Sequence, residues 1–143
     1  MNQLLCFKLG EETYALDLLE VQEVVESPQV YPLPGAAEAV SGAISFHGRI
    51  VPVIDLPTLL GFSPGSRAER LIVLTDANGP LALAVDRLRP VVNVDLIRGT
   101  LTQSDSEVDC ISSVLNWQEE MISLLDLQQV QKVLEQLCSK TGG

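Results

Sequence analysis

The stretch GAISFHGRIVPVIDL, Gly42 to Leu56, holds two apolar runs separated by His47, Gly48 and Arg49. Either these residues turn the chain between two strands, or the only histidine and a nearby arginine form a reactive pair in the most hydrophobic part of the sequence. A two-residue loop with glycine in second place suits a right-twisted hairpin, because Gly48 permits the positive φ such a turn needs. A general base beside an anion clamp would require a nucleophile and an orienting acid. One histidine is also too few ligands for a metal site. The hairpin reading is preferred, and its β-branched flanks set the expectation for the rest of the chain: short strands joined by tight turns.

Upstream, LLCFKL (Leu4 to Leu9) and TYALDL (Thr13 to Leu18) flank Gly10-Glu11-Glu12, a second hairpin signal. LLEVQEVVE, which begins at Leu18, carries both periods and reads as a helical turn leading into a strand, with the boundary left open. SPQVYPLPG places Pro28, Pro32 and Pro34 where an extended edge segment tolerates them and a helix or central strand does not. AAEAV, before Gly42, is expected to form a short helix. Downstream, Leu56 to Leu60 reads as a helical turn stopped at Gly61, and Ser63 to Glu69 as a loop. RLIVLTD and LALAVD are strands joined at Ala77-Asn78-Gly79-Pro80, where Asn-Gly signals a turn. Arg89 to Val94 is a further strand, and the polar, acidic segment Gly99 to Asp109 a loop. ISSVLNW and MISLLD make a last hairpin around Gln118 to Glu120. Asp126 is placed to cap a terminal helix over about 126–138, with Leu127, Val130, Leu134 and Leu137 on one face. About nine or ten short strands, one clear helix and no βα alternation predict a mainly β barrel or sandwich.

Four apolar runs, ALDLL, VIDLP, AVDRL and LLDLQ, end in an aspartate: Asp17, Asp55, Asp86 and Asp126. An acidic dyad sharing a proton is one reading. No aspartate here is followed by the Ser/Thr-Gly that would let backbone amides hold such a dyad. The preferred reading is that each carboxylate accepts backbone N–H bonds at a strand end or helix cap. Phosphate-binding glycine loops are absent, since Gly10, Gly61, Gly65 and Gly79 stand in isolated turns. With no assembled reactive group, binding is favoured over catalysis, and no catalytic residue, metal or cofactor is assigned.

Composition narrows the partners. The 143 residues suit one domain, and 46% hydrophobic with only 4% aromatic residues implies an aliphatic core. A formal charge of −10, from 19 acidic and 9 scattered basic residues, repels phosphate backbones and anionic membranes. Neither nucleic-acid binding nor membrane insertion is expected. Cys6, Cys110 and Cys138 form no CxxC pair and read as small buried hydrophobes in a reducing compartment. MNQLLCFKLG lacks a basic n-region and a long apolar h-region, and Leu5 stands where a lipoprotein cysteine needs a small residue, so a cytoplasmic location is expected.

FKLGEETYALDLLEVQEVV, then SGAISFHGRIVPVIDL, RLIVLTD with LALAVD, and LLDL before a helix together resemble the CheW family of bacterial chemotaxis coupling proteins. The resemblance runs from about Leu4 to Leu137. Its most specific part is a strand, Asn-Leu-Arg-Gly, and a second strand ending Pro-Val-Val/Ile-Asp-Leu, matched here at Gly42, Gly48 and Ile50 through Leu56. Val21-Gln22-Glu23-Val24 and Val85-Asp86 match two further family motifs. The resemblance implies a single CheW-like domain over 1–143 in which two small five-stranded SH3-like barrels are intertwined and packed together, with the C-terminal helix against them. It implies a non-enzymatic adaptor between methyl-accepting receptors and the regulatory domain of a CheA-type histidine kinase. Carried over by position, Val21, Glu23, Val30 and Tyr31 face the kinase, and His47 and Ile50 face the receptor's cytoplasmic tip. Three departures stand out: Ser45-Phe46-His47-Gly48 replaces Asn-Leu-Arg-Gly, exchanging a planar fork of donors for a smaller ring; Pro57 stands where arginine is common; and Ala82 stands where glycine is usual. The first leaves room for a competitor that binds the kinase but not receptors. A small hydrolase using Asp55 or Asp86 with His47 is the alternative from another class.

Overall fold

The computed structural model describes residues 2–26, 29–36, 38–61, 70–75, 80–94, 100–103 and 110–141. The first hairpin is β1 (Asn2–Leu9) and β2 (Glu12–Asp17), turned at Gly10 with φ 63°. A 3₁₀ turn over Leu18–Glu20 leads into β3 (Val21–Glu26), which resolves the mixed periodicity of LLEVQEVVE. The stretch at Gly42 becomes β4 (Val40–Phe46) and β5 (Arg49–Asp55), joined at His47 and Gly48 with φ 49° and 76°. Two successive positive φ values are what a two-residue turn of the right-twisting kind requires. Helix α1 (Leu56–Leu59) follows, and Gly61 at φ 85° ends that turn. Then come β6 (Arg70–Leu74), β7 (Ala82–Ala84), β8 (Arg87–Val94), β9 (Thr100–Gln103), β10 (Ile111–Trp117), β11 (Glu120–Leu125) and α2 (Leu127–Thr141).

The strands form two sheets, β8-β1-β2-β11-β10-β9 and β3-β6-β7-β5-β4. They build two small SH3-like barrels packed together with the C-terminal helix, a mainly β fold as expected. The first barrel, β3 to β7, is continuous in sequence; the second takes β1 and β2 from before it and β8 to β11 from after it. Each sheet contains one parallel pair, β2 with β11 and β5 with β7. Those four strands are the ones that end at Asp17, Asp126, Asp55 and Asp86.

Period-two alternation explains why the strands read as unbroken apolar runs: both faces are buried. In β6, Leu71 and Val73 point into the first barrel, whereas Ile72 and Leu74 point into a core shared by both barrels. In β7, Ala82 and Ala84 fill the narrow barrel interior while Leu83 faces the shared core. On the other side, β1 sends Leu4 and Cys6 into the second barrel and Leu5, Phe7 and Leu9 into the shared core. Phe7 and Tyr14 are a cross-strand pair whose rings stack at 6.0 Å. Leu127 and Val130 of α2 complete this core. Each fully buried large apolar side chain contributes about 1.5–3 kcal/mol, so the shared layer is what holds the barrels as a pair.

Four expectations change. Glu38 and Ala39 form a turn and Val40 already belongs to β4, so AAEAV supplies no short helix there. The Ala39 carbonyl accepts from the Asp55 amide at 2.7 Å, and this inter-strand bond outweighs alanine's helix preference. Thr100–Gln103, expected in a loop, is a strand because it pairs with Ser113 to Asn116 of β10. It gives the second sheet a sixth strand and raises the total to eleven among the described residues. Helix α2 extends to Thr141, beyond 138. The Ser63 to Glu69 loop and the Asn78-Gly79 turn lie outside the described residues.

Candidate functional site

Of the seven large hydrophobic side chains exposed among the described residues, Val30, Tyr31, Leu33 and Ile50 lie on the β4–β5 hairpin and the segment beside it. Tyr31 lies along the outer edge of β4 through two backbone bonds, its N–H to the Ala43 carbonyl and the Ala43 N–H back to its own, each 2.8 Å. Around Tyr31 the described part of the proline-spaced segment is thus an extended edge, as its composition predicts, before a turn at Pro34 and Gly35. It holds Val30, Tyr31 and Leu33 in the open at 38%, 51% and 42% exposure. Ile50 on β5, opposite Ser45, is 77% exposed. Close seating of this strap depends on Gly42: a β-carbon there would lie 2.3 Å from the Tyr31 carbonyl oxygen and 2.8 Å from a Val30 methyl.

Val21 and Glu23 lie on β3, the other terminal strand of the same sheet. Val21 is partly buried against the shared core, and Glu23 is exposed. The four residues expected at the kinase-facing edge therefore do not share one strand edge: two sit on the strap beside β4 and two on β3. What brings β3 near the hairpin is Gln22. The register moves from Val21 opposite Leu74 to Glu23 opposite Val73, leaving Gln22 as a bulged residue. Bulges re-aim side chains, and Gln22 lines a cavity of about 110 Å³ together with His47 and Arg49 at its rim and Phe46, Val51 and Val73 beneath. His47 packs edge-to-face on Phe46 with ring centroids 4.2 Å apart. Sequence reading missed Gln22, since alternation along β3 gives no sign of where pairing with β6 slips.

The four aspartates are engaged structurally. Asp17 Oδ1 accepts the Leu19 N–H at 3.0 Å, and Asp126 Oδ1 accepts those of Gln128 and Gln129 at 3.0 and 3.3 Å. Asp86 Oδ2 accepts the Gly10 N–H at 2.8 Å, tying the β1–β2 turn to the end of β7. Asp55 departs from the expectation: it accepts the Thr58 hydroxyl and no backbone N–H. His47 and Asp55 stand at opposite ends of β5, about 20 Å apart at ~3.3 Å per residue, so they cannot exchange a proton directly. Burial, reinforced by the carboxylates of Asp17 and Asp126, pushes Glu20 above the usual carboxylate range. Burial also raises the Cys6 thiol, with Glu120 acting the same way against Arg89. Such a thiol is unreactive, a small hydrophobe in the second barrel. Among the described residues, no group of three or more His, Cys, Asp or Glu is placed to hold a metal, and no helix is long and apolar enough to cross a membrane.

A larger cleft of about 690 Å³ opens between the β1–β2 turn, the end of α1 and the β10–β11 hairpin. Glu11, Glu12, Glu119 and Glu120 line it, with Lys8. The Tyr14 hydroxyl donates to Glu12 at 3.0 Å and the buried Thr13 hydroxyl to Glu120. This opening concentrates negative charge, whereas the smaller cavity at His47 has cationic and neutral donors at its rim.

Comparison with known proteins agrees with this architecture. The chain is 27% identical to the "Chemotaxis protein CheW" of Thermotoga maritima over 142 residues, 98% of this chain and 92% of that one. It is 31% identical over 84 residues to "Protein PilI" of Pseudomonas aeruginosa, covering 57% of this chain and 47% of that protein. The crystal structure of the scaffolding protein TtCheW from Thermoanaerobacter tengcongensis superposes with a TM-score of 0.78 at 26% identity, over 87% of this chain and 88% of that chain. The family model described as "CheW-like domain" matches residues 3–135, so both barrels and most of α2 fall within it, and the chain belongs to the CheW-like family.

Proposed function

We propose that the chain is a non-enzymatic adaptor of a chemotaxis-type pathway in the cytoplasm, coupling methyl-accepting receptors to the regulatory domain of a CheA-type histidine kinase. The observation that carries the reading is the family match over residues 3–135, joined to a solved scaffolding protein of the same fold. Two features of the surface support it. The strap residues Val30 and Tyr31 offer the kinase an apolar edge beside β4, and Val21 and Glu23 offer it a second stretch on β3. His47 and Ile50, on the hairpin beside the strap, are offered to the receptor tip. An adaptor needs no reactive group: joining two modest interfaces on one rigid body raises the effective concentration of each partner at the other.

The test is co-elution of the purified chain with a CheA-type regulatory domain and, separately, with a helical-hairpin fragment of a receptor cytoplasmic tip. Binding to both is expected; binding to neither refutes the reading. Because His47 replaces the family's arginine, binding to the kinase domain alone would favour the competitor role. His47→Arg is expected to tighten receptor-fragment binding by about fivefold, since a planar cation with five donors supplies one more charge-assisted contact. No gain with an unchanged circular dichroism spectrum would show that the receptor contact lies elsewhere.

A further inference from the structure

We infer that the strap beside β4 is an unfinished strand, poised to close through a second pair of backbone bonds, Gln29 with Ser45, when a partner holds the β4–β5 hairpin. The inference rests on the adaptor reading and names the link between the residues proposed for the receptor and those proposed for the kinase. Antiparallel pairing alternates, so every second residue of an edge strand turns its N–H and C=O outward. Ala43 gives both to Tyr31, at 2.8 Å each. Two residues nearer the tip, Ser45 turns its own the same way. The strap runs antiparallel to β4, which places Gln29 opposite Ser45, yet among the described residues the bridge at Tyr31 stands alone. The sequence of the strap is that of a longer strand. Pro28 and Pro32 occupy the alternate positions, whose amides would point away from β4, while Gln29 and Tyr31 keep the donors that would face it.

The second barrel contains the finished form. Its hairpin turns at Gln118 and Glu119 as the first turns at His47 and Gly48, with positive φ at all four. Asn116 stands opposite Met121 as Ser45 stands opposite Ile50. The carbonyls of Cys110 and Ala39 accept from the Asp126 and Asp55 amides at the same 2.7 Å. In this correspondence Ala43 matches Val114 and Ser45 matches Asn116. Strand β9 pairs with both, Thr102 opposite Val114 and Thr100 opposite Asn116, whereas the strap pairs with the first position alone. Closure would set Gln29, Ser45 and Ile50 side by side across three strands, as cross-strand neighbours that interact. A receptor segment seated on the exposed Ile50 then orders Ser45, and the new bond pair fixes Val30 and Tyr31 for the kinase. The coupling is reciprocal, so a kinase domain that holds the strap favours the receptor in return.

The test measures the affinity of the full chain for a CheA-type regulatory domain with and without a saturating receptor-tip fragment. The fragment should raise that affinity about fivefold, the worth of one net hydrogen bond. No change while both partners bind overturns the inference and leaves the adaptor standing. Gln29→Pro removes one closing donor at an exposed position, so it should abolish the enhancement while the urea midpoint and the binding of either partner alone hold. An enhancement that survives Gln29→Pro comes from somewhere other than the strap and also overturns the inference. Gln29→Cys combined with Ser45→Cys reads closure directly, because bonded partners of an antiparallel ladder lie about 5.5 Å apart at Cα, within disulfide reach. Oxidation should join the two, and the joined chain should bind the kinase domain about fivefold more tightly than its reduced form. Failure to crosslink within one chain, or a joined chain that binds no better, refutes closure. A chain that crosslinks but engages neither partner refutes the adaptor reading and leaves the register of the strap standing.

Discussion

Gly42→Ala should detach the strap that carries Val30 and Tyr31. The added β-carbon would stand 2.3 Å from the Tyr31 carbonyl oxygen, where ordinary contact begins at 3.4 Å, so that carbonyl must retreat by about 1 Å. The same carbonyl accepts from the Ala43 amide at 2.8 Å, and the opposite bond of the pair is also 2.8 Å. A displacement of that size breaks both, at about 1 kcal/mol each net. Holding alanine at a backbone conformation with φ 153° costs about a further 1 kcal/mol. The expected loss is about 3 kcal/mol, or roughly 10 °C in melting temperature for a chain of this length. Urea unfolding measures the total, and amide hydrogen exchange locates it: Ala43 should lose protection while Asp55, bonded to the Ala39 carbonyl on the same hairpin, keeps it. A stability change below about 0.5 kcal/mol with Ala43 still protected would refute the argument that Gly42 seats the strap. Kinase-domain binding should fall with the protection of Ala43, because the strap supplies two of the four residues proposed for that face.

Two further outcomes are set by local chemistry. Glu20 is raised by burial and then by Asp17 and Asp126, so its ionised form disfavours the fold. Its favourable contribution is complete below the unfolded value near 4.5 and is lost as pH rises through the raised folded value. Glu20→Gln should therefore be more stable than the parent at neutral pH, with the gain closing as pH falls toward 4.5; a gain constant with pH in urea titrations would show that charge is not its cause. At the β10–β11 turn, Gln118 and Glu119 hold φ 49° and 65° without a glycine. Left-handed backbone costs a side-chain-bearing residue ~1–2 kcal/mol, partly offset by glycine's greater unfolded freedom. Glu119→Gly should thus raise stability by about 0.5–1 kcal/mol, and a lower urea midpoint would mean that the Glu119 side chain makes contacts worth more than the strain.

What could be read in advance was local. His47-Gly48 specifies a two-residue turn by backbone preference alone, and the turn forms as expected. The aspartates that end four apolar runs marked strand ends because short carboxylates accept nearby donors. The runs did not reveal that these strands pair in parallel, two in each sheet, since pairing joins residues as distant as Ile122 and Thr13. The misses have the same origin. TLTQ carries no apolar period and is a strand only because β10 offers it a ladder. AAEAV has helical preference, which the 2.7 Å bond between Ala39 and Asp55 overrides. Gln22 reaches the cavity through a register slip that exists only once β3 meets β6. Resemblance indicated His47 and Ile50 on the hairpin but could not show that Val21 and Glu23 stand on a different edge from Val30 and Tyr31.

Coupling would depend on what anchors these residues to the core. Val51 and Val53 of β5 are buried beside Ile50, so alternation fastens Ile50 to the core one residue away. Every residue of β3 is half-buried or exposed, and that strand is held through its pairing with the buried Ile72 and Val73 of β6. The shared layer in which Ile54, Ile72 and Leu83 meet Leu5, Phe7 and Leu16 fixes one barrel against the other. Close-packed layers of this kind transmit displacement instead of absorbing it. Among the described residues, no buried side-chain polar atom lacks a partner, so the frame holds no unsatisfied group that would favour a second packing. The strap is the exception, held to β4 by the two bonds of Tyr31 and the space left by Gly42. A rigid frame with one lightly attached docking element suits an adaptor that keeps receptor and kinase in fixed register while a single segment adjusts to the partner it meets.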